Sequence, residues 1–170
     1  MSGLDPSDPG SRSEWTDRPN VVPWPPLIFG GAIVWGVALS VVLPIKGMMP
    51  NGALAKILGV ALIVIGLGLD IAAMLTMRRH KANILPHRPA TALVTGGPFS
   101  VSRNPIYLGN TILFIGAALA TGNAWLLMST AVAAALVSVL AIRREERHLA
   151  ARFGDAWRNY ARRTPRWLRL

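Results

Sequence analysis

The sequence predicts an all-α fold: a polytopic membrane helical bundle of about four transmembrane helices, with a long cytoplasmic loop and an amphipathic C-terminal helix. Three observations predict it. Hydrophobic residues make up 52% of the chain and the mean hydropathy is +0.39, too apolar for an ordinary soluble domain. These residues gather in four runs, separated by turn-forming or basic segments. The net charge of +10 is concentrated beside the apolar runs, as membrane-flanking charge is.

Residues 1–26 are rich in Ser, Pro, Gly and Asp, carry a charge of −2 and show no apolar periodicity. They read as a disordered or loosely packed tail, too acidic for the leading region of a signal peptide. Residues 27–170 read as a single membrane-embedded domain. Pro23, Pro25 and Pro26 reset the chain before residues 27–45, a 19-residue run with no charge. At 1.5 Å per residue it extends about 28 Å, close to the hydrocarbon thickness of a bilayer. "KGMMPNG" is a turn. Residues 53–77 form a second span, interrupted only by Lys56 and Asp70; Lys56 sits near the end and can snorkel.

Residues 78–104 form a loop of 27 residues with five Lys or Arg and no acid, longer than a simple connector. Residues 105–121 and 124–142 are two more apolar runs, separated so closely by "TGN" that they predict an antiparallel helical pair. Residues 143–170 carry nine Arg against three acids. In that segment Leu149, Phe153, Trp157 and Tyr160 share one helical face. This predicts a basic amphipathic helix, serving either as a lipid anchor or as a lid over a site at the end of the bundle. Four crossings, with the basic segments inside, place both termini and the 78–104 loop in the cytoplasm.

Composition also excludes function classes. The chain has no Cys, which removes disulfide frameworks, thiolate zinc sites and thiol nucleophiles. His80, His87 and His148 are too scattered to predict a metal site. Basic segments alternating with apolar runs argue against nucleic-acid binding, for which a basic face on a soluble module is the usual sign. "VIGLGLD" resembles a nucleotide-binding glycine turn, but that turn needs a strand before it and an opening helix after it. Here Gly66 and Gly68 lie within an apolar run and read as close helix contacts.

The chemistry-bearing residues lie at the edges of the runs. Asp70 is an ionisable group within a span, a position that usually faces the bundle interior. It reads either as an interhelical partner or as a polar wall for a substrate. "TGGPF" offers bare backbone at Gly96 and Gly97, which a ligand can approach closely. In "RNPIY", Asn104 suits a helix N-cap and Pro105 the first turn; Arg103 and Tyr107 need another explanation. Glu145 and Glu146, in "RREER", diverge by about 100° on a helix. One can face inward toward a ligand while the other orients a partner.

These motifs occur in a recognisable order: Gly97-Pro98-Phe99; Arg103-Asn104-Pro105-Ile106-Tyr107-Leu108-Gly109; a helical pair; Glu145-Glu146-Arg147-His148-Leu149; Phe153-Gly154; Trp157; Tyr160; and Pro165-Arg166. The order resembles the integral-membrane methyltransferases of the isoprenylcysteine carboxyl methyltransferase and phospholipid methyltransferase group, over about residues 84–167. The resemblance implies S-adenosylmethionine as methyl donor, with S-adenosylhomocysteine as product. It implies a cofactor pocket at the cytoplasmic ends of the last helices, involving Gly96, Gly97, Arg103, Asn104, Pro105, Tyr107, Glu145 and Glu146. Arg103 and Tyr107 are the catalytic candidates; Asp70 and Arg166 are the candidates for holding substrate.

The family often has His where this chain has Asn104. An amide keeps hydrogen-bonding capacity but cannot titrate, so acid–base work is lost at that position. The acceptor implied is lipophilic, presented as a carboxylate, as in prenylcysteine-type esterification, or as an amine. A carboxylate needs no base, whereas an amine or hydroxyl must lose a proton. The competing readings are a non-catalytic four-helix protein that binds anionic lipid or a partner through its basic tail, and a small multidrug-type transporter. The transporter reading leaves the long basic loop and the Arg-rich tail without a purpose. Oligomeric state is open at this level.

Overall fold

A computed structural model of the chain describes residues 24–45, 47–83 and 90–168. Most of the N-terminal tail and residues 84–89 of the basic loop, His87 among them, lie outside the described residues. Among the described residues every regular element is helical. The elements are α1 (Trp24–Val42), α2 (Ala53–Arg79), a 3-10 turn (Gly97–Ser100), α3 (Pro105–Thr121), α4 (Ala124–Val137), a π-helical turn (Ser138–Ile142) and α5 (Arg143–Arg163).

The helix ends follow from local chemistry. α1 starts three residues ahead of the expected span, because Pro25 and Pro26 fall in its first turn, where no intrahelical N–H is required. It stops just before Pro44, whose ring disfavours helix in the preceding residue. α3 has the expected bounds. Gly122 takes φ +66° to end it, with Asn123 N–H donating to the Ala118 carbonyl. The Asn123 side chain then caps α4 by accepting the Leu126 N–H at 3.0 Å. Two adjacent residues thus close one helix and open the next.

Three helical stretches are long and apolar enough to cross a membrane: α1, α2 and the continuous stretch Ala124–Arg163. α3 is apolar but shorter, at 17 residues, the lower limit for a span. The apolar part of the long stretch ends at Ile142; Arg143 and Arg144 stand beyond it. Outward-facing Val34, Trp35, Leu54, Ile57 and Val64 are exposed, as lipid-facing positions are in a helix that is apolar all round. The chain is a membrane protein.

α1 packs on α4, α2 packs on α3, and α3 with α4 joins the two pairs; α1 and α2 share no packed seam. Glycine permits the closest approach. A Cβ on Gly66 would lie 2.5 Å from the Gly109 carbonyl, and one on Gly59 would lie 2.5 Å from Ala120 N. Gly109 and Gly116 are equally tight from the other side. The seam thus repeats every seven residues on both helices, running antiparallel. Gly68 corrects the sequence expectation, because a Cβ there meets nothing within 4 Å. The close contact belongs to Gly66 and its heptad partner Gly59.

Asp70 extends this seam. It is buried, its Oδ1 has no hydrogen-bond partner among the described residues, and it lies against Gly109. The apolar core lies on the α1–α4 side, where Phe29, Ala133, Val137 and Ile142 cluster with Trp167 against them.

Candidate active site

The chain between α2 and α3 is bound to the helices at several points. Gly97 adopts φ +60° and faces Thr76 of α2, where a Cβ would lie 3.1 Å from the Thr76 hydroxyl. Tyr160 of α5 donates its hydroxyl to the Phe99 carbonyl at 2.6 Å. Burial pushes the Tyr160 phenol up from its ordinary value, and the Arg103 charge partly offsets this. The Ala90 N–H donates to His148 Nε2 at 3.1 Å, so that nitrogen is the unprotonated one in this arrangement. α5 kinks at Gly154, which takes φ +52°, a conformation that glycine enters freely. Beyond the kink, Trp157 and Tyr160 turn inward and are buried. α5 therefore packs on the described part of the loop at Ala90, Phe99 and Arg103.

Arg103 occupies the centre. Its Nη1 pairs with Glu146 Oε1 at 3.0 Å, with 15% of each side chain exposed. Its guanidinium lies over the Trp157 ring, 5.6 Å from the centroid, within cation–π range. Its Nε is buried with no partner among the described residues. Arg166 takes the remaining side of Glu146, with Nε 3.0 Å from Oε1 and Nη2 on Oε2. This charge-assisted fork holds the Arg166 guanidinium above its ordinary value, chiefly through the hydrogen bond to Glu146.

Glu145 faces the other way. Its Oε2 accepts the Tyr107 hydroxyl at 3.3 Å. Burial raises its carboxyl above the usual carboxylate range; the Tyr107 hydrogen bond lowers it and the neighbouring Glu146 charge raises it further. The two adjacent glutamates thus have different work. Glu146 is bound by two arginines, whereas Glu145 has a single phenol and an open side.

That open side is a cavity of about 300 Å³, at the small end of the range for ligand pockets. Four of the five helices offer a face to it: Phe29 from α1, Met74 and Met77 from α2, Tyr107 and Asn110 from α3, Glu145 and His148 from α5; α4 lines none of it. Arg103, Asn104 and Pro105 also line it. The structure therefore brings together five of the sequence candidates: Arg103, Asn104, Pro105, Tyr107 and Glu145. Gly96, Gly97, Asp70, Glu146 and Arg166 lie outside the lining.

Asn104 differs from its expected local role. It stands at the N-cap position of α3 but makes no capping bond. Its Nδ2 instead donates to the Arg166 carbonyl at 2.9 Å. The expected effect of Asn104→Ala is a loss of about 1 kcal/mol, since the Arg166 carbonyl loses one of its two donors and keeps Ser102 Oγ. Thermal unfolding in detergent would show this, with no new pH dependence. Sequence reading missed His148 and Asn110. His148 stands three residues after Glu145, and Asn110 three after Tyr107, so helical spacing from known site residues was the signal that could have found them. Among the described residues no group of three His, Cys, Asp or Glu is placed to hold a metal ion.

Much of the chain is similar in sequence to known proteins. The sequence model of the phospholipid methyltransferase family matches residues 54–156, from the start of α2 to just past the α5 kink. The nickel-cobalt-cadmium resistance protein NccN of Alcaligenes xylosoxydans xylosoxydans is 33% identical over 132 residues, covering 78% of this chain and 61% of that protein. The cobalt-zinc-cadmium resistance protein CzcN of Cupriavidus metallidurans is 38% identical over 78 residues, covering 46% of this chain and 36% of that protein. The chain thus spans less than two thirds of the length of either relative. No solved structure matches it.

Proposed function

Because the chain belongs to the phospholipid methyltransferase family, we propose that it transfers a methyl group from S-adenosylmethionine to a lipophilic or lipid-like acceptor at the membrane interface. The observation that carries this reading is the pairing of charges on one cavity. Glu145 lines the cavity with a carboxylate held by the Tyr107 hydroxyl, and Arg103 lines it with a guanidinium whose buried Nε has no partner among the described residues. An amino acid headgroup carries an ammonium and a carboxylate, the complementary pair. The residues present therefore fit the donor. Glu145 would hold its ammonium and Arg103 its carboxylate. Asn83, Asn104, Asn110 and His148 are the other polar side chains of the lining.

When bound, the donor supplies a methyl group on an already activated sulfonium. The chain's own part is then to hold, orient and keep dry. Tyr107 fixes Glu145 from one side, and Glu146 fixes Arg103. Met74, Met77 and Phe29 give the cavity an apolar wall, which strengthens the charged contacts by excluding water. Reaction then depends chiefly on placing the acceptor within about 3–3.5 Å of the methyl group.

The acceptor reaches that place from the bilayer in this reading. Phe29 of α1 and Met74 and Met77 of α2 line the same cavity, yet α1 and α2 share no packed seam. The gap between them is the side entrance for an oily molecule, with the charged donor arriving from the water phase. In the same reading the mouth opens on the cytoplasmic face, which the positive-inside distribution of Arg and Lys supports. The relatives' names concern metal resistance; a methylated membrane component is the link to such a trait that this cavity offers.

Titration calorimetry of S-adenosylhomocysteine into detergent-purified protein tests the reading, with methyl uptake from labelled donor into lipid extract alongside. The expected result is micromolar-range binding and a labelled, organic-soluble product. Absence of heat with either donor or product would sink it. Arg103→Lys keeps the charge but loses the planar fork and the stack on Trp157. It is expected to weaken that binding by at least tenfold, about 1.4 kcal/mol.

A further inference from the structure

The residues that follow α5 touch the site at three separate points. The Pro165 carbonyl accepts the Arg103 N–H at 2.9 Å. The Arg166 carbonyl accepts Asn104 Nδ2 at 2.9 Å and Ser102 Oγ at 3.2 Å, while the Arg166 guanidinium grips Glu146. Trp167 donates its indole N–H to Ser138 Oγ at 3.2 Å and packs its ring on the Phe29, Val137 and Ile142 cluster.

Ser138 is the first residue of the π-helical turn, whose wide bond runs from the Arg143 N–H to the Ser138 carbonyl. Such turns inside α-helices are uncommon and often mark functional sites. This one accommodates a residue more than an α-turn does, so everything after it is set back by about 100°. Without it, the angular position now held by Glu145 would fall to Arg144, and the cavity would receive a cation where it now has a carboxylate.

We infer that residues 165–167 form a positioning strap for Glu145: Trp167 holds the wide turn that points Glu145 into the cavity, and Arg166 keeps Glu146 out of it. The inference rests on the methyl-donor reading of the cavity and adds a determinant to it. The strap lies after the helices in the chain, yet it sets which of two adjacent glutamates meets the ligand. Neither Trp167 nor Ser138 lines the cavity, so both act through Glu145.

Trp167→Phe keeps an aromatic ring in the cluster and removes the donor; Ser138→Ala removes the acceptor; Ser138→Thr retains the hydroxyl. Two readouts are taken on the full chain in detergent. The first, without donor, is hydrogen exchange over residues 138–146. The second is KM for S-adenosylmethionine against kcat. Trp167→Phe and Ser138→Ala are expected to speed exchange there and to raise KM about tenfold with kcat within about twofold, the size expected from losing one hydrogen bond. Ser138→Thr is expected to restore both. Should Trp167→Phe fail to fold, the two Ser138 variants carry the test. Unchanged exchange and KM, or a threonine that behaves like alanine, would overturn the strap. Faster exchange in a protein that binds neither donor nor product would support the strap and overturn the methyl-transfer reading instead.

Discussion

Replacing Glu145 with Gln is expected to weaken S-adenosylhomocysteine binding more than a hundredfold, about 3 kcal/mol, because a buried ammonium would lose its counter-charge. The same change is expected to leave the ligand-free protein as stable as before, or more so. Burial holds the Glu145 carboxyl above its ordinary value of 4.5, so the folded chain disfavours its charged form. A group whose folded-state value is raised contributes stability that is fully present below its unfolded value and is lost as pH rises through the folded one. Ligand-free protein should therefore lose stability as pH climbs from about 4.5 through the raised value. Ligand binding should strengthen over the same interval, since the ionised carboxylate is what the ammonium needs. Glu145→Gln should flatten both trends, and Glu146→Gln should reproduce neither. Thermal unfolding and calorimetry across a pH series check this. Parallel rather than opposed trends in the native protein would remove Glu145 from the ligand. A site residue that weakens the resting fold while serving the bound state is a common compromise.

The division of labour between those two glutamates shows where sequence reading stops. The "RREER" motif marked both, and helical geometry required them to diverge. Which one faces the cavity depends on the wide turn at Ser138–Ile142, and that turn lies in a largely apolar run with no periodicity to reveal a phase shift. α3 was legible to the residue because Asn104-Pro105 and Gly122-Asn123 carry strong backbone preferences. The start of α1 was misplaced because proline was read as a stop, though in a first turn it fits. Asn104 looked like a cap because its type suits one, but its amide is used by a carbonyl 62 residues away, a pairing that no local pattern encodes. Gly66 and Gly68 look identical in sequence; they lie about 200° apart around α2, and only the face carrying Gly66 packs on α3.

That last pair supports a prediction with a built-in control. In Gly66→Ala the new Cβ would lie 2.5 Å from the Gly109 carbonyl and 2.7 Å from Leu113 N. Both obstacles are backbone, so no side chain can swing aside, and α2 and α3 must separate along the seam. Overpacking of this kind costs about 1–3 kcal/mol. It should exceed any gain from alanine's helix preference, which is about 1 kcal/mol. Gly68→Ala meets nothing within 4 Å, so it keeps the preference and loses no contact; it should unfold at the same temperature as the native protein or above it. Gly109→Ala should also be damaging, because its Cβ would fall 2.8 Å from the Gly66 carbonyl and 2.1 Å from Asp70 Oδ1, so that the buried carboxylate must turn away as well. Its effect should reach the site, since Asp70 stands one turn from Met74 and Gly109 two residues from Tyr107, and both Met74 and Tyr107 line the cavity. Thermal unfolding of the three alanine variants in detergent, with ligand affinity measured on each that folds, separates the two effects. Equal melting temperatures for Gly66→Ala and Gly68→Ala would show that the seam is looser than its geometry implies. Loss of stability in Gly109→Ala that Asp70→Ala partly reverses would locate the damage at the carboxylate, because the second substitution removes the atom that the new methyl group strikes.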